Sequence, residues 1–445
     1  MRKPLALLLL LALPAFAGPS TNNDDTCDIA TLPAATLLLP YFEVDLHAAD
    51  KDAQTTLFTV TNVTSRPQIA NVTLWTDWAY PVLSFDVFLT GYDAQSINLR
   101  DVLVRGTIHA GSAKSARGGY SQQNDDNPNF LNTALEACSA PPPPLSPELL
   151  AELRQVLTLG TKTGCGANAR VGGQHLMATG FITIDLVATC SSLLPNDARY
   201  FDQLLYDNVL TGDYQFVLPN PLIGNFAGGE SLVHIRAVPE GGRAGAMVAT
   251  SLPYTFYDRF LPRAKAFSDR RQPLPSAWAA RYIQGSTGGF QTDLLLWREA
   301  TAAASATCDT VQKGIETQLA EVVRFDEREN PMTSVPFATG GNYLPAAARL
   351  STLSDYLPAL TTGDVHGWIY LNADNGGSES YHSSRDMSSG SSTKHGPRPG
   401  QSWILPMMTA EGRYSMAMPA TMLANGCTPS AAKDATIKPA SNATP

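Results

Sequence analysis

The sequence predicts an all-β protein: two tandem β-sandwich domains of immunoglobulin-like character, related by internal duplication, the first with a small helical insertion. Three observations predict it. Four segments occur twice in the same order. Charged residues make up only 16% of the chain, while Gly and Pro number 34 and 32. An apolar leader and six cysteines point to an exported, oxidised chain.

The duplication is visible residue by residue. Thr55, Leu57, Phe58 and Val60, followed by Ala70, Val72, Trp75 and Asp77, have counterparts in Thr292, Leu294, Leu295 and Trp297, followed by Ala320, Val322, Phe325 and Glu327. A Gly-aromatic-Ile strand comes next in each copy, Gly180-Phe181-Ile182 and Gly367-Trp368-Ile369. A Gly-x-Tyr strand closes each, at Gly212 to Tyr214 and Gly412 to Tyr414.

Along the chain, Arg2 and Lys3, the apolar run Leu5 to Leu13, and Ala15-Phe16-Ala17 form a signal peptide over 1–17. That run is too short to span a bilayer, and no membrane insertion is expected. A flexible N-terminus at 18–28 leads to the first sandwich domain, 29–262. Alternation and β-branching predict strands at 57–62, 71–77, 84–89, 96–104, 181–187, 214–218 and 231–237. An insertion at 105–175 carries a helix. Ser146 is its N-cap, Pro147 its first residue, and Gly160 its C-terminal cap. A short helix is expected at 197–206. Prolines and five basic residues mark 263–288 as a solvated linker. The second sandwich domain covers 289–428. Its Ser/Gly-rich stretch 374–400 reads as a flexible loop, and 429–445 as a disordered tail.

The net charge of −9, with no basic block, argues against a nucleic-acid partner. Cys27, Cys138, Cys165, Cys190, Cys308 and Cys427 lack metal-ligand spacing and read as disulfides. Fifteen pairings are open to six cysteines. Their positions favour Cys138 with Cys165, Cys308 with Cys427, and Cys27 with Cys190.

The search for chemistry returns little. There is no G-x-S-x-G elbow, H-E-x-x-H or phosphate-binding loop. The matched acids Asp77 and Glu327 end equivalent strands and read as solvent-facing. His175 and His366 precede the matched Gly-aromatic-Ile strands at different offsets, so they do not read as one duplicated site. Trp75, Trp297 and Trp368 belong in the core, whereas Trp78, Tyr80 and Trp278 fall outside strand patterns and are expected at the surface as a stacking platform. Arg270 and Arg271 offer an anion or partner contact. Asp125 and Asp126 supply hard oxygen ligands that suit calcium, the one cofactor the sequence suggests. Asn62-Val63-Thr64 and Asn71-Val72-Thr73 match the glycosylation sequon.

These features favour an exported, non-enzymatic structural or adhesive protein, periplasmic or extracellular, whose partner is a protein or glycan surface. The alternative is a secreted hydrolase acting on polysaccharide through paired carboxylates.

Overall fold

The computed structural model describes residues 32–108, 142–166, 169–217, 227–242, 252, 255–257, 260, 269–285, 289–299, 308, 321–333, 345–351, 366–372, 380–382, 394–397, 400–410 and 414–424. The leader, the tail after 428, Asp125, Asp126, Cys27, Cys138 and Cys427 lie outside the described residues.

The first half contains β1 (Thr36–Val44), β2 (Thr55–Asn62), β3 (Gln68–Thr76), β4 (Pro81–Leu89), β5 (Ala94–Asn98), α1 (Pro147–Leu159), β6 (Ala178–Val187), β7 (Leu210–Val217), β8 (Ala227–Ser231) and β9 (Val233–Ile235). The second contains β10 (Ala277–Ile283), β11 (Phe290–Arg298), β12 (Glu321–Phe325), β13 (Pro331–Thr333), β14 (Ala347–Ser351), β15 (His366–Asn372), β16 (Ser380–His382), β17 (Lys394–Pro397), β18 (Ser402–Ala410), β19 (Tyr414–Ala417) and β20 (Thr421–Ala424). The protein is mostly β, as the sequence predicts.

Each half forms one five-stranded and one four-stranded sheet. The first-half orders are β4-β3-β6-β1-β9 and β5-β2-β7-β8. The second-half orders are β13-β12-β15-β10-β20 and β14-β11-β18-β19. Setting aside the β16–β17 pair, the nine strands of each half occupy the same places in the same order. This arrangement is not the ABED-over-CFG order of immunoglobulin domains.

Details repeat too. Trp75 stacks on Phe181 at 5.4 Å and 8°, and Phe325 on Trp368 at 3.8 Å and 8°. Both are cross-strand pairs. Gly180 and Gly367 are glycine for one reason. A Cβ would lie 2.0 Å from the Trp75 carbonyl oxygen in the first case and 2.1 Å from the Phe325 carbonyl oxygen in the second. In both, the next neighbour is an aromatic ring of the adjoining strand, Phe42 or Tyr282.

The halves share a core. On β11 the side chains alternate, as a strand requires. Leu294 and Leu296 join Trp278, Tyr282 and Ile369 inside the second half. Leu295 and Trp297 join the large cluster of the first half, with Leu405 and Met407 of β18. β11 and β14 pack against β1 and β6. Within the small sheet of the second half, β11 is therefore buried on both faces from Thr292 to Arg298. The same holds for β1, where all residues except Glu43 are buried. Double burial explains the continuous apolar runs Leu37-Leu38-Leu39 and Leu294-Leu295-Leu296.

The helix matches its cap signals. Ser146 accepts from the Leu149 N–H at 3.2 Å, and Gly160 closes the helix at φ 69. Four expectations change. The strand expected at 96–104 stops at Asn98, and Asp101–Arg105 forms a π turn. The helix expected at 197–206 is a 3-10 turn at Ala198–Asp202. The linker expected at 263–288 contains β10 and a buried approach to it, Asp269 to Gln272. The loop expected at 374–400 contains the paired strands β16 and β17.

Candidate functional site

The odd face of β11 and β14 meets the end of β1, and a cluster of polar side chains between the halves sits there. Arg349 of β14 donates to Asp293 Oδ2 at 2.7 Å and to Glu43 Oε2 at 3.0 Å. Glu43 also accepts from the Tyr41 hydroxyl at 2.5 Å and from Gln54 Nε2 at 2.6 Å. Asp293 Oδ1 accepts from Gln291 at 2.7 Å. All four carboxylate oxygens of Glu43 and Asp293 are thus engaged by protein donors. Burial, reinforced by the charge and hydrogen bond of Glu43, raises the Tyr41 hydroxyl well above its ordinary pKa. Burial would lower the Arg349 guanidinium, but Glu43 and Asp293 outweigh it and hold it above its usual value. The recess around them, about 200 Å³ including space open to solvent, has no room for the centre of a water molecule. Chemically this is a clamp: one cation between two anions, joining the halves.

A second contact lies nearby. Asp77 is buried, not solvent-facing as its strand-end position suggests. Its Oδ1 accepts from the Gly173 N–H at 2.9 Å, and its Oδ2 faces His175 Nε2 at 2.9 Å. Its backbone carbonyl accepts from Ala346 and Ala347 of the second half, at 2.6 and 3.1 Å. The segment 169–175 folds back over this corner, the Val171 carbonyl accepting from the Thr76 hydroxyl and Gly173 and His175 meeting Asp77. In the second half, the matched acid Glu327 faces His366 Nδ1 at 3.6 Å on an open surface. Both matched acids therefore meet the histidine near the matched strand, although the sequence offsets differ.

The arginines expected to be exposed are interior. Arg271 is 0% exposed and pairs with Asp269 at 2.7 Å and Asp185 at 3.4 Å. It also donates to Thr36, which donates to Asp185 at 2.5 Å. Tyr200 and Tyr257 donate to the other oxygen of Asp185, at 2.5 and 2.7 Å. Burial would lower the Arg271 pKa, yet Asp269 and Asp185 raise it. Arg270 is 2% exposed and lies over the Tyr206 ring at 4.2 Å. Burial lowers its pKa. The solvated anion contact gives way to an internal ion network because Asp185 and Asp269 draw the segment inward.

The aromatic platform is corrected in the same way. Trp78 and Tyr80 are each 8% exposed, covered by Val156 of α1 and by Val171. Trp278 is 1% exposed, and its indole donates to Ser402 Oγ at 2.9 Å. It lies on β10, so it does belong to a strand pattern, and its edge meets Trp403 at 5.1 Å.

The cysteines pair differently. Cys165 bonds to Cys308, which removes the expected Cys138–Cys165 and Cys308–Cys427 bridges. The insertion is stapled to the second half and not to itself. Cys190 is disulfide-bonded, with its partner outside the described residues. Both sequon asparagines are buried, Asn62 at 0% and Asn71 at 1% exposure.

Among the described residues, no group of three or more His, Cys, Asp or Glu could hold a metal ion. No described helix is long and apolar enough to cross a membrane. No protein-family model, curated protein or solved structure matches the chain.

Glu43, Asp293 and Arg349 were not singled out from sequence. A signal exists in hindsight: Glu43 and Asp293 are lone charges beside apolar runs, the pattern of a buried ion pair.

Proposed function

We propose that this is an exported, non-enzymatic protein of the cell envelope or extracellular space, built as a rigid body that binds a protein or glycan surface. The observation that carries this reading is the state of its acids. Glu43, Asp293, Asp77 and Asp185 have their oxygens engaged by internal donors that hold strands together. A hydrolase needs two acids open to one substrate bond. Here Glu43 and Asp293 share an arginine.

We also infer that the two halves descend from duplication of one nine-stranded unit. Equal strand order, the repeated stacked pair and the repeated glycine support this.

The test is incubation of the mature chain with envelope preparations and soluble polysaccharides. Sedimentation with the envelope fraction, without release of reducing sugar, is expected. Sugar release by the wild type would instead favour the hydrolase.

A further inference from the structure

At one end of the first sandwich, two turns lie side by side: 62–66 between β2 and β3, and 90–93 between β4 and β5. Tyr92 is the residue out of place there. Its φ is 56, in the left-handed region, and it is 59% exposed. Glycine or asparagine would satisfy that backbone without strain, and a bulky side chain at positive φ is a genuine outlier. Exposing a large aromatic ring adds nothing to folding. The side chain is therefore not accounted for by the turn.

The tip that presents it is held firmly. Tyr92 N–H donates to the Thr64 carbonyl at 2.7 Å, and Asn62 N–H to the Asp93 carbonyl at 2.9 Å. The buried Asn62 amide donates to the Arg66 and Thr90 carbonyls, at 2.6 and 2.9 Å. Its oxygen accepts from the Thr64 N–H and hydroxyl, at 2.9 and 2.8 Å. A Cβ on Gly91 would lie 2.4 Å from the Ser65 carbonyl oxygen, so the turns touch backbone to backbone. The backbone that carries the ring is pre-positioned, which reduces the ordering cost of binding.

The surroundings indicate the ligand. Asp93 Oδ2 accepts from Thr90 twice, while Oδ1 accepts from none of the described residues. Arg66 and Val63 are exposed on the neighbouring turn. One tyrosine and one valine are far smaller than the roughly 800 Å² per side of a stable protein interface. They match one sugar ring, whose C–H face stacks on an aromatic ring while its edge hydroxyls meet a carboxylate.

We propose that the tip formed by 62–66 and 90–93 is a carbohydrate-binding site, with Tyr92 as the stacking platform and Asp93 Oδ1 as acceptor for a sugar hydroxyl. It deepens the binding reading given above and rests on it.

The test uses the full mature chain on an immobilised series of neutral gluco-, galacto-, manno- and chito-oligosaccharides. Tyr92→Asn tolerates the same backbone, so its thermal midpoint should not fall. Retention of the wild type on at least one series, reduced tenfold or more in Tyr92→Asn and kept in Tyr92→Trp, is the expected result. Equal retention of wild type and Tyr92→Asn would overturn the site while leaving the binding reading intact. No retention on any series would overturn the site as well, and binding of that same chain to intact envelope would then decide the broader reading separately.

Discussion

At the scale of single residues, Arg271 shows what sequence pattern conceals. A run of arginines among prolines reads as solvated linker, because pairing with Asp185 depends on a contact across 86 positions that no local pattern reveals. Burial makes the pair consequential. Arg271→Met leaves Asp185 and Asp269 buried without a counter-charge, and should destabilise the protein by about 3–5 kcal/mol. The urea midpoint measures it; a shift under about 1 kcal/mol would show that the network contributes little. Asp86 is a second informative residue. Burial, opposed by hydrogen bonds from Asn71 and the Ser191 N–H, pushes its pKa up to about 6. The folded state then holds this proton more tightly than the unfolded chain. Its contribution favours folding below about pH 4 and is lost as pH rises through about 6. Wild-type stability should therefore carry a downward component over that window, absent in Asp86→Asn. Identical pH profiles for the two proteins would refute the assignment.

At the scale of elements, legibility followed how local the determinant is. α1 was readable because Ser146, Pro147 and Gly160 act within a few residues of the helix they bound. β2, β3 and β7 were readable because one face is more polar than the other. β1 was not, since a strand buried on both faces loses its alternation and resembles any apolar run; β10 buries Trp278, Ala280 and Tyr282 and exposes Arg281, but the prolines and arginines before it read as linker. The disulfide was misassigned for a related reason. Sequence proximity favoured Cys138 with Cys165, whereas the fold sets Cys165 beside Cys308, 143 positions away. A loop of that length removes much unfolded-state entropy. Replacing both cysteines by serine should lower stability by about 4–5 kcal/mol on the loop-entropy account. Thermal melts of the double variant measure this, and an unchanged midpoint would mean that the fold holds this corner without the bridge.

At the scale of the whole molecule, the sequence conveyed two halves but not how they join. The repeat is written in residues near one another. The joint is written in the second side of β11, where Leu295 and Trp297 look no different from Leu294 and Leu296. Because the large cluster contains residues of both halves, neither should unfold alone. Calorimetry should show one cooperative transition whose calorimetric and van't Hoff enthalpies agree. Two resolved transitions would show that the joint is weaker than its packing suggests. Arg349→Met, which leaves Glu43 and Asp293 without their shared cation, is the variant expected to loosen that coupling first.

The buried sequons have a practical corollary. Asn71 donates to Ser84, Asp86 and the Ser191 carbonyl, and Asn62 ties two turns together. An oligosaccharide attached to either amide during synthesis in a eukaryotic secretory host would occupy space that the finished sheets fill. Yield from such a host should be poor and should recover when Thr64 and Thr73 are changed to valine or the host's transferase is inhibited; production in a bacterial periplasm avoids the conflict altogether.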